Sequence, residues 1–192
     1  MARPSRQADI RQAALSCFAR LGYDGTRVRH IAEGAGLSEA ALYRHWKSKD
    51  ELATELFADG MSDYAGQLAA AADAGGPTSE RLTRVIHRML DLYGEQSHLS
   101  VFLIEQQPRF IAALPPRFPY PLHVFERVVK AGQRKKEVKR GDPRLIAAIA
   151  LGCVTRPILV SRYSQNWTLN PGDPNQRELI AESAWEAIRR RS

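Results

Sequence analysis

The stretch TRVRHIAEGAGLSEAALYRHWKSKDEL, residues 26–52, decides the fold. Val28, Ile31 and Ala32 recur at helical spacing behind Thr26, whose hydroxyl suits the N-cap of a helix. The sequence GAG at 34–36 interrupts that pattern, and Ser38 supplies a second cap for a short helix ending near His45. Ser48 and Glu51 stand in the S-x-x-E relation of a capping box, which starts a fourth helix running to about Ala72. Two helices lie three residues apart, with small Ala32 at their crossing and Gly36 free to take a positive φ. Leu37 and Leu42 face inward, and together these features meet the geometric needs of a helix-turn-helix.

The outward side of the third helix carries the chemistry. Ser38, Glu39, Ala40, Ala41, Tyr43, Arg44 and His45 point away from the apolar side. Short side chains at 40 and 41 let a backbone approach base edges or thymine methyls, while Tyr43, His45, Lys47 and Lys49 can donate to phosphates. Charge agrees with a polyanionic partner: the 192 residues carry a formal net charge of +7. Residues 1–50 hold nine Lys or Arg against five Asp or Glu, and residues 51–192 hold 19 against 16, so the excess is concentrated in the first quarter.

Helical spacing continues along the whole chain, with no run of alternating strand pattern, and the fold class is all-α. A first helix spans about Arg6 to Leu21 and stops at GYDG; Thr78 is placed to cap a fifth helix with Leu82, Val85, Ile86, Met89 and Tyr93 on one side. Prolines 115, 116, 119 and 121 force a bent connection, and Asp142-Pro143 and Asp173-Pro174 each read as an N-cap followed by proline at the first helical position. The apolar stretch 145–160 falls short of the roughly 20 residues of a membrane span and contains Arg156 and Pro157, so it reads as a helix buried in protein, with no membrane partner. The N-terminus lacks the apolar run of a signal peptide, and Cys17 and Cys153 read as reduced core thiols, which predicts a cytoplasmic protein. No metal-ligand spacing, cofactor motif or catalytic arrangement involves His30, His45, His87, His98 or His123, so no enzyme is expected.

The segment AALSCFARLGYDGTRVRHIAEGAGLSEAALYRHWKSKDEL resembles the DNA-binding domain of the tetracycline-repressor (TetR) family of bacterial transcription regulators, and LYRHWKSKDEL is its most specific part. Ala41 stands where that family frequently has glycine or threonine, and Trp46 where phenylalanine is usual. The resemblance implies that Thr26 and Arg27, with Tyr43, His45 and Lys49, hold phosphates, and that Glu39, Ala40, Ala41 and Arg44 face bases. It further implies a helix-turn-helix domain over residues 1–50, a helical effector-binding and dimerisation domain over 51–192, and a fourth helix from about 50 linking the halves. The two last helices would form a four-helix bundle with a second subunit, drawing on Ala147, Ala148, Leu151 and Gly152 and on Ile180, Ala184 and Ile188. Independently, RLIAAIALGCV at 144–154 is apolar nearly all round, and a second copy would cover it. An effector pocket would draw on Met89, Phe102, Ile104, Phe110 and Phe125, with Arg156 as an anion contact or an internal or interface ion pair.

These readings converge on a homodimeric repressor that binds a two-fold double-stranded DNA operator and leaves it when a small-molecule effector binds. An activator or ligand-independent regulator shares the same DNA-binding features, and a helical small-molecule-binding or enzymatic module is the alternative from another class. Arg3 and Arg6 are candidates for a flexible arm extending the DNA contact.

Overall fold

The computed structural model describes residues 6–191, so Arg3 of the candidate arm lies outside the described residues. Among the described residues the α-helices follow in the order α1 (Arg6–Gly25), α2 (Val28–Gly34), α3 (Glu39–Tyr43), α4 (Lys49–Asp73), α5 (Thr78–Glu95), α6 (Ser97–Phe110), α7 (Pro121–Arg134), α8 (Pro143–Tyr163) and α9 (Pro174–Ile188). Two compact units emerge. The first takes the chain up to Gly60 together with His98–Pro115; the second takes Met61–Ser97 and the chain from Pro116 onward. α4 therefore begins in one unit and continues into the other as a single helix.

In the first unit Ile10, Ala14, Cys17 and Phe18 of α1 are buried with Ile31 and Ala32 of α2, Leu42 of α3, and Leu52 and Phe57 of α4. An aromatic cluster brings α6 into this core: Phe102 stacks on Phe18 with centroids 5.2 Å apart, and Phe110 lies 5.5 Å from Phe57. Val28 and Leu37, expected inside, are only half-buried. α1 kinks at Gly22, whose φ of 71° favours glycine. Thr26 does not cap α2 as expected. That position is Arg27, while Thr26 is buried and its Oγ1 donates to the Gly22 carbonyl at 2.7 Å, closing the end of α1 instead.

In the second unit Val85, Ile86 and Met89 of α5, Phe125 and Val128 of α7, Ala147 and Val154 of α8 and Ala184 of α9 form the core. Thr78 again loses its expected role. Pro77 is the N-cap, and the Thr78 N–H is accepted by the distant Glu137 carboxylate at 3.1 Å, a cap that sequence-local reasoning cannot supply. Gly132 permits the close approach behind this contact, because a Cβ there would stand 2.5 Å from Val138 Cγ2 and 2.7 Å from Thr78 Cγ2. The two Asp-Pro starts hold: Asp142 accepts from the Arg144 N–H at 2.8 Å and Asp173 from the Asn175 N–H at 2.9 Å. The proline-rich connection runs through a short 3-10 turn (Ile111–Ala113) into α7, with Pro121 in its first turn.

α8 is long and apolar enough to cross a membrane by length and composition, yet Ile146, Ala147, Ala150, Val154 and Ile158 are buried within the unit. Its other side is open: Leu145 is 62% exposed and Ile149 40%, and Leu179 of α9 is 64% exposed. Arg156 is exposed on that side, which corrects the expectation of a charge enclosed in an apolar run; the helix turns it outward, where water meets its charge.

Candidate nucleic-acid interface

The turn between α2 and α3 is built by backbone chemistry. Gly36 takes φ 66°, and the Leu37 N–H reaches back to the Ala32 carbonyl at 2.9 Å. Ser38 then caps α3, its Oγ accepting from the Ala41 N–H at 3.2 Å. Leu42, fully buried, anchors the inner side of α3, and Trp46 follows it into the core with its indole N–H donating to Glu55 at 2.8 Å. Glu55 and Asp59 of α4 also accept from Arg11 of α1, at 2.5 and 2.7 Å. The start of α4 is fixed by the Ser48 hydroxyl, which accepts from the Glu51 N–H at 3.0 Å. The Glu51 carboxylate reaches back to the Lys47 N–H, one residue earlier than a capping box requires.

With that side locked, the other presents Glu39, Ala40, Tyr43, Arg44, His45 and Lys47 to solvent, with Arg27 exposed at the start of α2 and Ala41 half-buried. Tyr43 is 49% exposed, more than a core aromatic tolerates. Arg27, Tyr43, Arg44, His45 and Lys47 are thus available to an outside partner.

Two residues expected at the phosphates are engaged internally. Thr26 spends its hydroxyl on Gly22, and Lys49 Nζ donates to the carbonyls of Tyr23 and Thr26 at 2.8 and 2.9 Å. The same ammonium lies 4.3 Å from the centre of the Tyr23 ring, and the Arg109 guanidinium of α6 lies 4.6 Å from that ring. Arg109 also pairs with Asp24 at 2.8 Å, and the Tyr23 hydroxyl donates to Asp50 at the start of α4. Burial, reinforced by that hydrogen bond, pushes the Tyr23 phenol well above its ordinary value and keeps it a donor. Tyr23, Asp50 and Arg109 were missed in the sequence because their partners come from α1, α4 and α6. The aromatic of GYDG was the only local signal.

The remaining expected residues fall elsewhere. Met89 and Phe125 are buried in the second unit, Phe102 and Phe110 are buried in the first, and Ile104 is half-buried. Among the expected interface residues, Ala147, Ile180, Ala184 and Ile188 face the chain's own core, Ala148 is exposed, and Leu151 and Gly152 are half-buried. A Cβ on Gly152 would meet nothing within 4 Å.

Residues 10–56, the helix-turn-helix just described, match the bacterial regulatory proteins of the tetR family. Over these residues the chain is similar to that family. It is 29% identical over 111 residues to the HTH-type transcriptional repressor KstR2 of Mycolicibacterium smegmatis, an overlap of 58% of this chain and 54% of the relative. It thus spans about half the length of the curated relatives it matches. Among solved structures, the ketosteroid transcriptional regulator KstR2 of Mycobacterium tuberculosis superposes with a TM-score of 0.72 at 21% identity, covering 99% of this chain and 98% of that one. AibR, solved in complex with isovaleryl coenzyme A and operator DNA, superposes with a TM-score of 0.69 at 20% identity over 94% and 96% of the two chains. These likenesses show that the chain shares the all-α fold of those structures beyond its helix-turn-helix.

Proposed function

We propose that this chain is a cytoplasmic, homodimeric repressor of the tetR family that grips a two-fold double-stranded DNA operator through α2 and α3 and leaves it when a small molecule binds. The observation that carries the reading is the exposed set Arg27, Tyr43, Arg44, His45 and Lys47 on a turn whose opposite side is held by Leu42 and Trp46. Arg27, Tyr43, His45 and Lys47 donate to phosphates, while Glu39, Ala40, Ala41 and Arg44 meet base edges. Thr26 and Lys49 act one step back: they lock the end of α1 against α4 and so fix the angle at which α2 and α3 are presented.

Two copies join through the open side of α8 and α9, where Leu145, Ile149 and Leu179 lie exposed. A two-fold protein then reads a two-fold site, one α3 per half-site. α4, about 37 Å long at 1.5 Å per residue, is the covalent rod through which a ligand in the second unit changes the spacing of the two recognition helices. The AibR structure, which holds a ligand and operator DNA together, supports this pairing of functions in one fold.

The test is duplex binding as a function of salt. A grip on phosphates requires log K to fall linearly with log salt, with a slope of about −0.9 for each phosphate neutralised. A flat response, or no saturable binding to any duplex carrying a palindrome from the neighbouring genome, would refute the reading.

A further inference from the structure

A trough of about 460 Å³ opens on the second unit, between the later half of α4 and α7. Ser62, Ala65, Gly66 and Ala69 line it from α4, recurring at i, i+3, i+4 and i+7, so one face of that helix carries only short side chains. A Cβ built on Gly66 meets no heavy atom within 4 Å, which leaves the space above that residue free. Pro119, Tyr120 and Val124 supply apolar surface, and Arg117, His123 and Arg127 complete the lining. Tyr120 is held in place, its hydroxyl accepting from Arg144 at 2.9 Å and its ring 4.0 Å from that of His123.

Cationic surface continues beyond the trough. His123, Arg127, Lys130 and Arg134 follow one another along one side of α7 and, with Glu126, line a second recess of about 430 Å³. Two carboxylates offset this charge in part: Glu126 pairs with Lys130 at 2.6 Å, and Asp73 stands 3.2 Å from Arg127. Arg117 and Arg134 enter no ion pair among the described residues. A solvated helix face of this kind would have no need of a concave apolar floor beside it. The combination matches small-molecule sites, which run to several hundred Å³ with apolar walls and a few placed polar groups.

We propose that this trough binds an anionic amphiphile, its apolar chain lying over Ala65, Gly66 and Ala69 and its phosphate taken by the Arg117 and Arg127 guanidiniums. A planar guanidinium offers paired donors that match phosphate oxygens, which favours phosphate over a simple halide-like counterion. The site deepens the ligand-released reading above by giving the effector a chemical class, and its regulatory meaning rests on that reading. Binding to the protein alone does not.

The experiment titrates the full chain, without DNA, with decyl phosphate below its micelle concentration; decanol and inorganic phosphate serve as controls. Decyl phosphate should saturate at one molecule per chain, with both controls at least about ten-fold weaker, since each lacks half of the recognition. Gly66→Leu fills the trough and Arg117→Gln removes one guanidinium; each should weaken decyl phosphate by about ten-fold without lowering the unfolding temperature. Equal binding of either control, or decyl phosphate binding unchanged in both variants, overturns the proposal. It is also overturned if Arg117→Gln weakens duplex binding while decyl phosphate finds no saturable site, for the face would then serve nucleic acid. Co-sedimentation with phosphatidylglycerol vesicles, lost in Gly66→Leu, would identify the phosphate as a lipid headgroup; no co-sedimentation with decyl phosphate binding retained would identify a soluble ligand, and both support the site. If decyl phosphate binds but leaves duplex affinity unchanged, the site stands and the ligand-released reading fails.

Discussion

Arg44 and Lys49 belong to the same short motif and live in opposite surroundings. Arg44 is exposed just past the end of α3, free to pair with a guanine edge. Arg44→Ala should cost on the order of 1–3 kcal/mol at one operator position and little at others, read by comparing affinities for a set of single-base variants. A uniform loss across that set would make it a phosphate contact. Lys49 instead holds two backbone carbonyls across the junction of α1 and α4. Charge-assisted bonds of this kind are worth about 1.5–3 kcal/mol when buried, and partial exposure reduces that, so Lys49→Ala should lower unfolding stability by about 1 kcal/mol. It should also weaken all duplexes alike. Unchanged stability together with a salt slope lower by one phosphate would return Lys49 to the DNA surface.

At the scale of elements, the start of α5 depends on the end of α7. The Glu137 carboxylate caps the Thr78 N–H, and the Thr78 hydroxyl beside it, with that N–H as a smaller contribution, holds its carboxyl below the ordinary value of 4.5. A group lowered in the folded chain contributes stability that is present above pH 4.5 and lost as pH falls through its folded pKa. Glu137→Gln should therefore flatten the dependence of unfolding stability on pH in that acid range; an identical pH profile in the variant would remove Glu137 from this role. Gly132 tests the same corner sterically. Gly132→Ala puts a methyl against Val138 and Thr78, both β-branched and buried, and should destabilise by about 1–3 kcal/mol despite alanine's higher helix propensity. A neutral or stabilising outcome in denaturant melts would show that the corner yields. The neighbouring backbone is tied as well, with Lys139 N–H bonded to the Ile188 carbonyl at 3.0 Å and Arg190 N–H to the Glu137 carbonyl at 2.8 Å, so there is little room to give.

For the whole molecule the proposed dimer makes the decisive prediction. Leu145→Glu combined with Leu179→Glu places charges on the open side of α8 and α9 without entering the protomer core. Sedimentation should show a monomer with unchanged unfolding, and affinity for a two-fold operator should drop because each half-site is then bound alone. A dimer that survives both substitutions would place the interface elsewhere. The sequence by itself determined what depends on neighbours a few residues apart: the all-α class, the Ser38 cap, the turn at Gly36, the two Asp-Pro starts, and an outward chemistry on α3 that its helical period reveals. It placed Thr26 and Thr78 as caps because a hydroxyl before a helix is a local signal. Only the tertiary structure turned Thr26 back onto Gly22, brought Glu137 to the start of α5, and set Arg109 over Tyr23. It also decided which sides of α8 and α9 are core, putting Ala147 and Ala184 inside and Leu145 outside. The reason is physical. A helix apolar all round carries no periodic mark of its inner side, and a hydrogen bond between residues far apart in sequence leaves no spacing to read, so both are settled only when the helices pack.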